Sequence, residues 1–291
     1  MNSDSNFRWP NGANVGVSIV VNVEEGSEMS VREPNDKGME PVDELGVFVK
    51  KPIRNFSNES NYEYGIKAGF PRVAYLLDKY EIKCTWTTCA LSLERAPQIA
   101  EYIREKNHEA CSHGFRWVHQ FRLNEDDERS FIRKATESIE RTTGTRPYGW
   151  LSRYLLTPNT RRLLVEKGFL YHMDDYSDDK PFWDFVDSKA ILIIPYAVDS
   201  NDMKMWTDPA YTPEQWYEYA KDTFDQLYLE SCNSPRMMSL GIHLRIIGRP
   251  GRFIWFKRFI EYIKEFDDVW ICTRKEIVEH WSRKNPASEN L

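Results

Sequence analysis

The sequence lacks the features that mark secreted, membrane-spanning or nucleic-acid-binding chains. Its five cysteines, at 84, 89, 111, 232 and 272, form no CxxC pair and no metal-like spacing. Its longest apolar run, residues 15–23, is far too short to span a bilayer. It has a net charge of −6 and a pI near 5.7, without a long run of basic residues. We therefore expect neither nucleic acid nor a membrane surface as a partner.

Nothing at the N-terminus resembles a secretion signal. Residues 1–12 contain no basic region followed by an apolar stretch. An odd number of cysteines without such a signal is typical of a reducing compartment. Four of the five lie in apolar, strand-like segments, where a free cysteine behaves as a small hydrophobe. We expect a cytoplasmic protein.

The length of 291 residues fits one large domain or two small ones, and single α/β barrels often have this length. We predict one domain over residues 1–291. Apolar residues make up 41% of the chain and aromatic residues 14%, which suffices for a large core. Most aromatic side chains are expected in that core, and some are candidates for lining a pocket for a flat ligand.

Strand-like runs alternate with segments of helical period along the chain. The runs rich in apolar or β-branched residues are 15–23, 83–90, 109–113, 147–150, 169–173, 190–197, 237–244 and 269–273. The segments of helical period are 69–80, 97–106, 126–143, 160–167, 212–229 and 251–266. This alternation predicts βα units and a mostly parallel sheet. The number of units favours an α/β fold that is a distorted (β/α) barrel of about seven or eight strands.

Two long segments lack a clear period. Residues 26–64 are rich in Glu, Asn, Pro and Gly, and we predict a loop insertion there. Residues 176–188 are rich in Asp and aromatic residues and are also predicted as a loop. Loops of this length in a compact barrel form lids, subunit contacts or binding sites. Residues 284–291 are polar and are predicted to be a frayed tail.

Residues able to do chemistry follow the predicted strands, at the face where (β/α) barrels hold their active sites. They are Glu24, Glu25, His113, Arg116, Trp117, Trp150, Arg153, the acidic segment 174–179, His243 and Arg245. Carboxylate, imidazole, guanidinium and indole groups at five strand ends together predict an active site.

Six short motifs carry a resemblance to a known family. They are residues 22–26 (NVEEG), 61–65 (NYEYG), 112–117 (SHGFRW), 146–150 (RPYGW), 178–183 (DDKPFW) and 241–252 (GIHLRIIGRPGR). In this order, over residues 15 to 275, the sequence resembles the polysaccharide deacetylase (NodB-homology) superfamily, and within it the metal-independent allantoinases. The resemblance implies a NodB-type barrel, hydrolysis of allantoin to allantoate in urate degradation, and a homo-oligomer, a tetramer in similar proteins.

The motifs depart from the deacetylase pattern where that pattern binds metal. The two aspartates that follow the first strand in deacetylases correspond to Glu24 and Glu25, and their first histidine to His113. The second histidine of the pattern corresponds to Trp117, whose indole has no lone pair for a divalent metal. We therefore expect no metal and no other cofactor, with a metal held through His119 or His243 as the alternative.

Hydrolysis of a cyclic amide without metal needs a base for water, charge stabilisation on the carbonyl oxygen and a proton for the leaving nitrogen. Neighbouring side chains on a strand point to opposite faces, so a regular strand brings only one of Glu24 and Glu25 into the pocket. The family's base position corresponds to Glu24. We keep both as candidates and favour Glu25 slightly, because it corresponds to a ligand position. His113 and His243 are the candidate proton donors, since imidazole titrates near neutral pH.

Three arginines and two tryptophans are candidates for substrate binding. Arginine can hold a ureide carbonyl or a carboxylate with two parallel donors, which suggests Arg245, Arg116 and Arg153. Trp117 and Trp150 are candidates for packing against a flat five-membered ring, with core packing as the competing interpretation.

The leading functional hypothesis is a hydrolase that opens a small cyclic amide, with allantoin as substrate. The alternatives are a hydrolase of another hydantoin or cyclic imide, a metal-dependent deacetylase of N-acetylated sugar polymers, and a non-catalytic ligand-binding barrel. Trp117 and the missing secretion signal count against the sugar deacetylase. The retained glutamates and histidines count against the non-catalytic barrel.

Overall fold

The centre of the protein is a curved β-sheet built around one fully buried strand. The structure is a computed structural model that describes residues 7–33, 36, 46 and 51–288. The strands are β1 (Val15–Val23), β2 (Thr85–Thr88), β3 (Glu109–Ser112), β4 (Gly149–Trp150), β5 (Tyr171–His172), β6 (Phe182–Val186), β7 (Lys189–Ile193), β8 (Arg236–His243) and β9 (Val269–Ile271). Every residue of β1 is buried, as expected of a strand covered on both faces of a parallel sheet.

The strand order is β6-β7-β5-β4-β3-β2-β1-β8, with β9 also paired to β1. These ladders are parallel except for the antiparallel pair of β6 and β7. The helices are α1 (Phe56–Tyr64), α2 (Phe70–Lys79), α3 (Ala90–Arg95), α4 (Pro97–Glu105), α5 (Glu125–Thr143), α6 (Thr160–Glu166), α7 (Pro213–Glu230), α8 (Leu244–Ile247), α9 (Pro250–Ile263) and α10 (Arg274–Lys284). The predicted distorted (β/α) barrel is confirmed.

Helix boundaries follow their capping residues. Thr212 accepts a hydrogen bond from the Gln215 amide at the start of α7, and Pro213 occupies the first helical position. Asn124 caps α5 in the same way, and Gly144 ends it with a φ of 76°. The six predicted helices are therefore found with small shifts at their ends.

Two loop predictions need correction. The loop predicted over 26–64 is wrong at its C-terminal end, because residues 56–64 form α1, capped by Asn55. Residues 34, 35, 37–45 and 47–50 of that prediction lie outside the described residues. The loop predicted over 176–188 contains β6, which pairs with β7. Of the predicted tail 284–291, Lys284 ends α10 and residues 289–291 lie outside the described residues.

A π-helical turn, Gly65–Gly69, joins α1 to α2 close to the end of β1. A Cβ atom on Gly65 would overlap the Glu25 carboxylate, and one on Gly69 would overlap the Leu244 carbonyl oxygen. Both positions therefore need glycine, because the helix backbone lies directly against the site.

The C-terminal ends of the central strands lie side by side. Asn22 on β1 is in register with His243 on β8, so Glu24 follows close to the end of β8. The turn after His113 depends on Gly114, which has a φ of 86° and whose added Cβ would lie 2.6 Å from Phe131. The sheet thus delivers Glu24, His113 and His243 to one edge.

Among the described residues, no helix is both long and apolar enough to cross a membrane. The assignment of residues 1–291 to one domain stays a prediction.

Candidate active site

A small polar cavity lies at the C-terminal ends of the strands. Its volume is ≈ 20 Å³, about the space of one water molecule. Its lining residues are Asn22, Glu24, His113, Trp117, Leu151, Ser152, Arg153, Tyr154, Tyr176, Tyr196, Asn201 and His243. Carboxylate, imidazole, amide and phenol groups therefore face a space with aromatic walls.

Glu24 is the carboxylate of this cavity and is surrounded by two imidazole rings and a guanidinium group. Its Oε1 lies 3.3 Å from His113 Nε2 and 3.4 Å from His243 Nε2. Its Oε2 accepts a hydrogen bond of 2.7 Å from Arg245 Nη1. Burial alone would raise the pKa of Glu24, but the charges of Arg245 and His243 and the hydrogen bond of His113 hold it well below its ordinary value. Glu24 is therefore ionised at neutral pH.

His243 is held between two carboxylates. Its Nδ1 lies 2.6 Å from Asp202 Oδ1, and its Nε2 faces Glu24. Asp202 is fully buried, and its other oxygen accepts from the backbone N–H groups of His243 and Ile247. Burial would lower the pKa of His243, but the charges of Glu24 and Asp202 raise it to about 10. The imidazole is therefore protonated at neutral pH and can give up a proton.

His113 contacts the same oxygen of Glu24 as His243 does. Its Nδ1 lies 2.7 Å from the Leu151 carbonyl oxygen, which can only accept, so Nδ1 carries a hydrogen. This bond fixes the ring and directs Nε2 at the Glu24 carboxylate. His113 thus restrains the atoms on which a water molecule would be positioned.

Glu25 does not line the cavity, which corrects the preference for it as the base. It is fully buried, and its oxygens accept from the backbone N–H groups of Glu24 at 3.0 Å and Arg245 at 3.1 Å. Burial raises the pKa of Glu25 to about 7, against the effect of the Arg245 charge. Glu25 thus supports the backbone on either side of the site.

Arg245 lies behind Glu24 and is not among the residues that line the cavity, so the geometry does not support its predicted contact with substrate, which stays a prediction. The side chain is fully buried. Its guanidinium carbon lies 4.5 Å from the Tyr62 ring centre and 5.2 Å from that of Trp117. Cation–π contacts of this kind hold the guanidinium beside Glu24, where it acts as the counter-charge.

The donor set does not fit a divalent metal ion. Arg245 Nη1 lies 2.7 Å from Glu24 and 3.8 Å from Glu25, so a protein cation already stands between the two carboxylates. Trp117 offers no lone pair, and His119 faces the Arg153 carbonyl oxygen at 3.1 Å instead of Glu24. Among the residues that the structure describes, no group of three or more His, Cys, Asp or Glu side chains is arranged to hold a metal.

Of the remaining predicted binding residues, two line the cavity and two lie outside it. Trp117 and Arg153 line the cavity, with the Arg153 guanidinium 3.5 Å from the Trp117 ring centre. Trp150 was a candidate for stacking on substrate, but it is fully buried in the hydrophobic core and bonds Ser152. Arg116 also lies outside the cavity, because it is engaged by both carboxylate oxygens of Asp36.

Several residues at the site were not predicted from the sequence, and three of them lie in the segment after β7. Asp202 follows the strand-like run 190–197 and holds His243, so the rule about strand ends, extended a few residues, would have reached it. Tyr196 and Asn201 lie in the same segment and line the cavity. The functional segment after β7 was hidden because it contains no recognised motif.

Comparisons with known proteins place this geometry in a family. The sequence profile of the family described as Polysaccharide deacetylase matches residues 59–170. A putative polysaccharide deacetylase of Schizosaccharomyces pombe is 34% identical, over 96% of this chain and 93% of its own length.

Two solved structures are similar over almost the whole chain. The crystal structure of PuuE allantoinase has a TM-score of 0.93 and 36% identity, covering 99% of this chain and 96% of that one. A probable polysaccharide deacetylase from Pseudomonas aeruginosa PAO1 has a TM-score of 0.92 and 36% identity, with the same coverage.

Proposed function

Because this chain belongs to the polysaccharide deacetylase family, we propose that it is a hydrolase that opens a small cyclic amide, with allantoin as its substrate. The observation that carries the proposal is the Glu24 carboxylate 3.4 Å from His243 Nε2 in one small cavity. The surrounding charges hold the pKa of Glu24 well below its ordinary value and raise that of His243 to about 10, which favours a carboxylate beside an imidazolium. The similarity to PuuE allantoinase supports the substrate. The probable polysaccharide deacetylase from Pseudomonas aeruginosa PAO1 has the same identity, 36%, so the choice between the two activities rests on the chemistry of the cavity.

The proposed reaction uses these two residues as base and acid. Glu24 takes a proton from a water molecule, whose oxygen attacks the ring carbonyl carbon. The carbon–nitrogen bond of the ring then breaks, and His243 Nε2 gives its proton to the leaving nitrogen. The product is a carboxylic acid and a free N–H group. The proton on Glu24 passes back to His243 across their 3.4 Å contact, which restores both groups.

The shape of the cavity favours a small substrate over a polymer. Tyr154 and Tyr176 stand at its mouth with 46% and 48% of their surfaces exposed. Rotation of these exposed side chains can enlarge the space for one heterocycle. An N-acetylated sugar chain needs a groove that extends over several residues, far more space than the ≈ 20 Å³ of this cavity.

The test is turnover of allantoin by purified protein dialysed against a chelator and assayed for metal. We expect allantoate formation that survives chelation, and a loss of about 10²–10⁴-fold in kcat for Glu24→Gln. Glu137→Gln serves as the matched control, because Glu137 is an exposed residue of α5 that forms an ion pair with Arg133 on the same helix. Activity on another hydantoin or cyclic imide, without activity on allantoin, would keep the ring hydrolysis but replace allantoin as the proposed substrate. Activity only on N-acetylated glycans after metal addition would refute the proposal.

The proposal also includes an oligomeric state and a cellular location. Assembly as a homotetramer and a cytoplasmic location stay predictions, which size-exclusion chromatography with light scattering and cell fractionation would check.

A further inference from the structure

Tyr196 places its hydroxyl at the cavity, surrounded by two side-chain amides. Asn22 Nδ2 lies 2.7 Å from the phenol oxygen, and Asn201 Nδ2 lies 3.4 Å from it. The residue lines the same cavity as Glu24 and His243. It takes no part in the mechanism described so far.

The orientation of both amides follows from their backbone partners. The Asn22 nitrogen also donates to the Ile242 carbonyl oxygen at 3.1 Å, and a carbonyl can only accept. Asn201 Oδ1 accepts from the Met203 amide at 2.9 Å, so this oxygen cannot be the atom that faces Tyr196. Both amides therefore present N–H groups to Tyr196.

The phenol oxygen thus accepts two hydrogen bonds and keeps its own hydrogen for another partner. Among the described residues, no atom accepts a hydrogen bond from this hydroxyl. Burial raises the pKa of Tyr196 well above its ordinary value, so the hydrogen stays on the oxygen. The direction left to the O–H bond is the cavity.

The strand beside Tyr196 makes room for this hydroxyl. A Cβ atom on Gly241 of β8 would overlap the Tyr196 hydroxyl and come within 3.2 Å of Asn201 Nδ2. Asn22 lies on β1, Gly241 on β8 and Asn201 in the segment after β7. Residues of two central strands and of this segment therefore fix the position of the Tyr196 hydroxyl oxygen. Such a pre-oriented donor needs no rearrangement when negative charge develops beside it.

We propose that Tyr196 is a catalytic residue that donates its O–H to the ring carbonyl oxygen under attack. The hydrogen bond strengthens as that oxygen becomes an oxyanion, opposite the water held by Glu24. This inference rests on the proposed function, since it needs a carbonyl substrate in the cavity.

The test is Tyr196→Phe, which removes the hydroxyl and keeps the ring. We expect kcat to fall by about 10²–10³-fold with little change in KM, as for loss of one oxyanion donor. Tyr219→Phe is the matched control, because its hydroxyl bonds Asp199 on the surface. Calorimetry of allantoin binding to Glu24→Gln, with and without Tyr196→Phe, should show nearly equal affinities. Thermal unfolding confirms that each variant is folded.

Gly241→Ala provides a second route, because its methyl group displaces the hydroxyl while the phenol remains. We expect the same loss in kcat. Wild-type activity of Tyr196→Phe, or a loss confined to KM and to binding in the Glu24→Gln background, overturns the assignment of Tyr196 alone. A wild-type protein inert on allantoin and on other ring amides overturns the proposed function and this assignment with it.

Discussion

Replacing Asp202 by asparagine removes the negative charge beside His243 with little change in shape. Asparagine keeps one oxygen to accept from the backbone N–H groups of His243 and Ile247, which now bond Asp202 at 2.8 and 3.1 Å. Its NH₂ group then faces His243 Nδ1, which lies 2.6 Å from the carboxylate in the native protein. Nδ1 can accept that hydrogen bond only in the neutral ring, so the substitution disfavours the protonated form and lowers the pKa of His243.

The magnitude follows from the charge removed. An opposite charge at this distance shifts a pKa by about 1–3 units, so the pKa of His243 should fall from about 10 toward about 7–9. His243 has a higher pKa folded than unfolded, so its stabilising effect is complete below its ordinary pKa and is lost as pH rises through about 10. Asp202→Asn should therefore reduce the free energy of unfolding near neutral pH by about 1–4 kcal/mol.

Two measurements check this prediction. The basic limb of kcat/KM against pH should move to lower pH in Asp202→Asn, and an NMR titration of the His243 ring should show the same shift without any substrate. Asp199→Asn is the control, because Asp199 is an exposed residue whose carboxylate accepts from the Tyr219 hydroxyl at 3.2 Å. A basic limb and a ring titration that stay where the wild type has them would refute the role of Asp202.

Three further predictions concern a glutamate, an arginine and a glycine around the site. Glu25→Gln turns an N–H toward a backbone N–H, so it should lower the thermal unfolding midpoint in calorimetry. Glu24→Gln should lower the midpoint as well, because it removes the charge that the buried Arg245 and His243 face, whereas Glu137→Gln should leave it near the wild-type value. Arg245→Met leaves the buried Glu24 carboxylate without its counter-charge. We expect the acidic limb of the activity profile to move to higher pH, and the free energy of unfolding in denaturant to fall by about 3–5 kcal/mol. Arg245→Lys should give intermediate values. Gly65→Ala should cost about 1–3 kcal/mol through overlap with Glu25, while Gly251→Ala, with open space around it, should be neutral or stabilising; equal midpoints would contradict this account.

The sequence predicted those elements well in which the buried residues are apolar and recur with the period of a strand or a helix. Residues 15–23 read as one continuous apolar strand, and the structure buries all of them. α1 was missed because it buries only Asn58, Asn61 and Tyr62, which carry little apolar periodicity. β6 was missed because all five of its residues are only half-buried beside β7.

The sequence predicted which strand ends contribute to the site, but it predicted the roles of individual residues less well. Asn22 and Glu24 both line the cavity, so the two-residue period of β1 continues past its end and turns Glu25 away. The preference for Glu25 rested on a metal-ligand position, and the geometry gives that place to Arg245. Spacing alone could not show that the arginine lies behind the base, because this depends on the packing of Tyr62 and Trp117.

The π-helical turn at Gly65–Gly69 sets a limit on how this protein can diverge. A π turn holds one residue more than an α turn, so deleting one residue there would restore α-helical spacing between α1 and α2. The spacing between Gly65 and Gly69 would change, and a residue other than glycine would then face either Glu25 or the Leu244 carbonyl oxygen. The additional residue and the buried acid behind Glu24 are therefore expected to be inherited together, so that a lineage losing one loses the other.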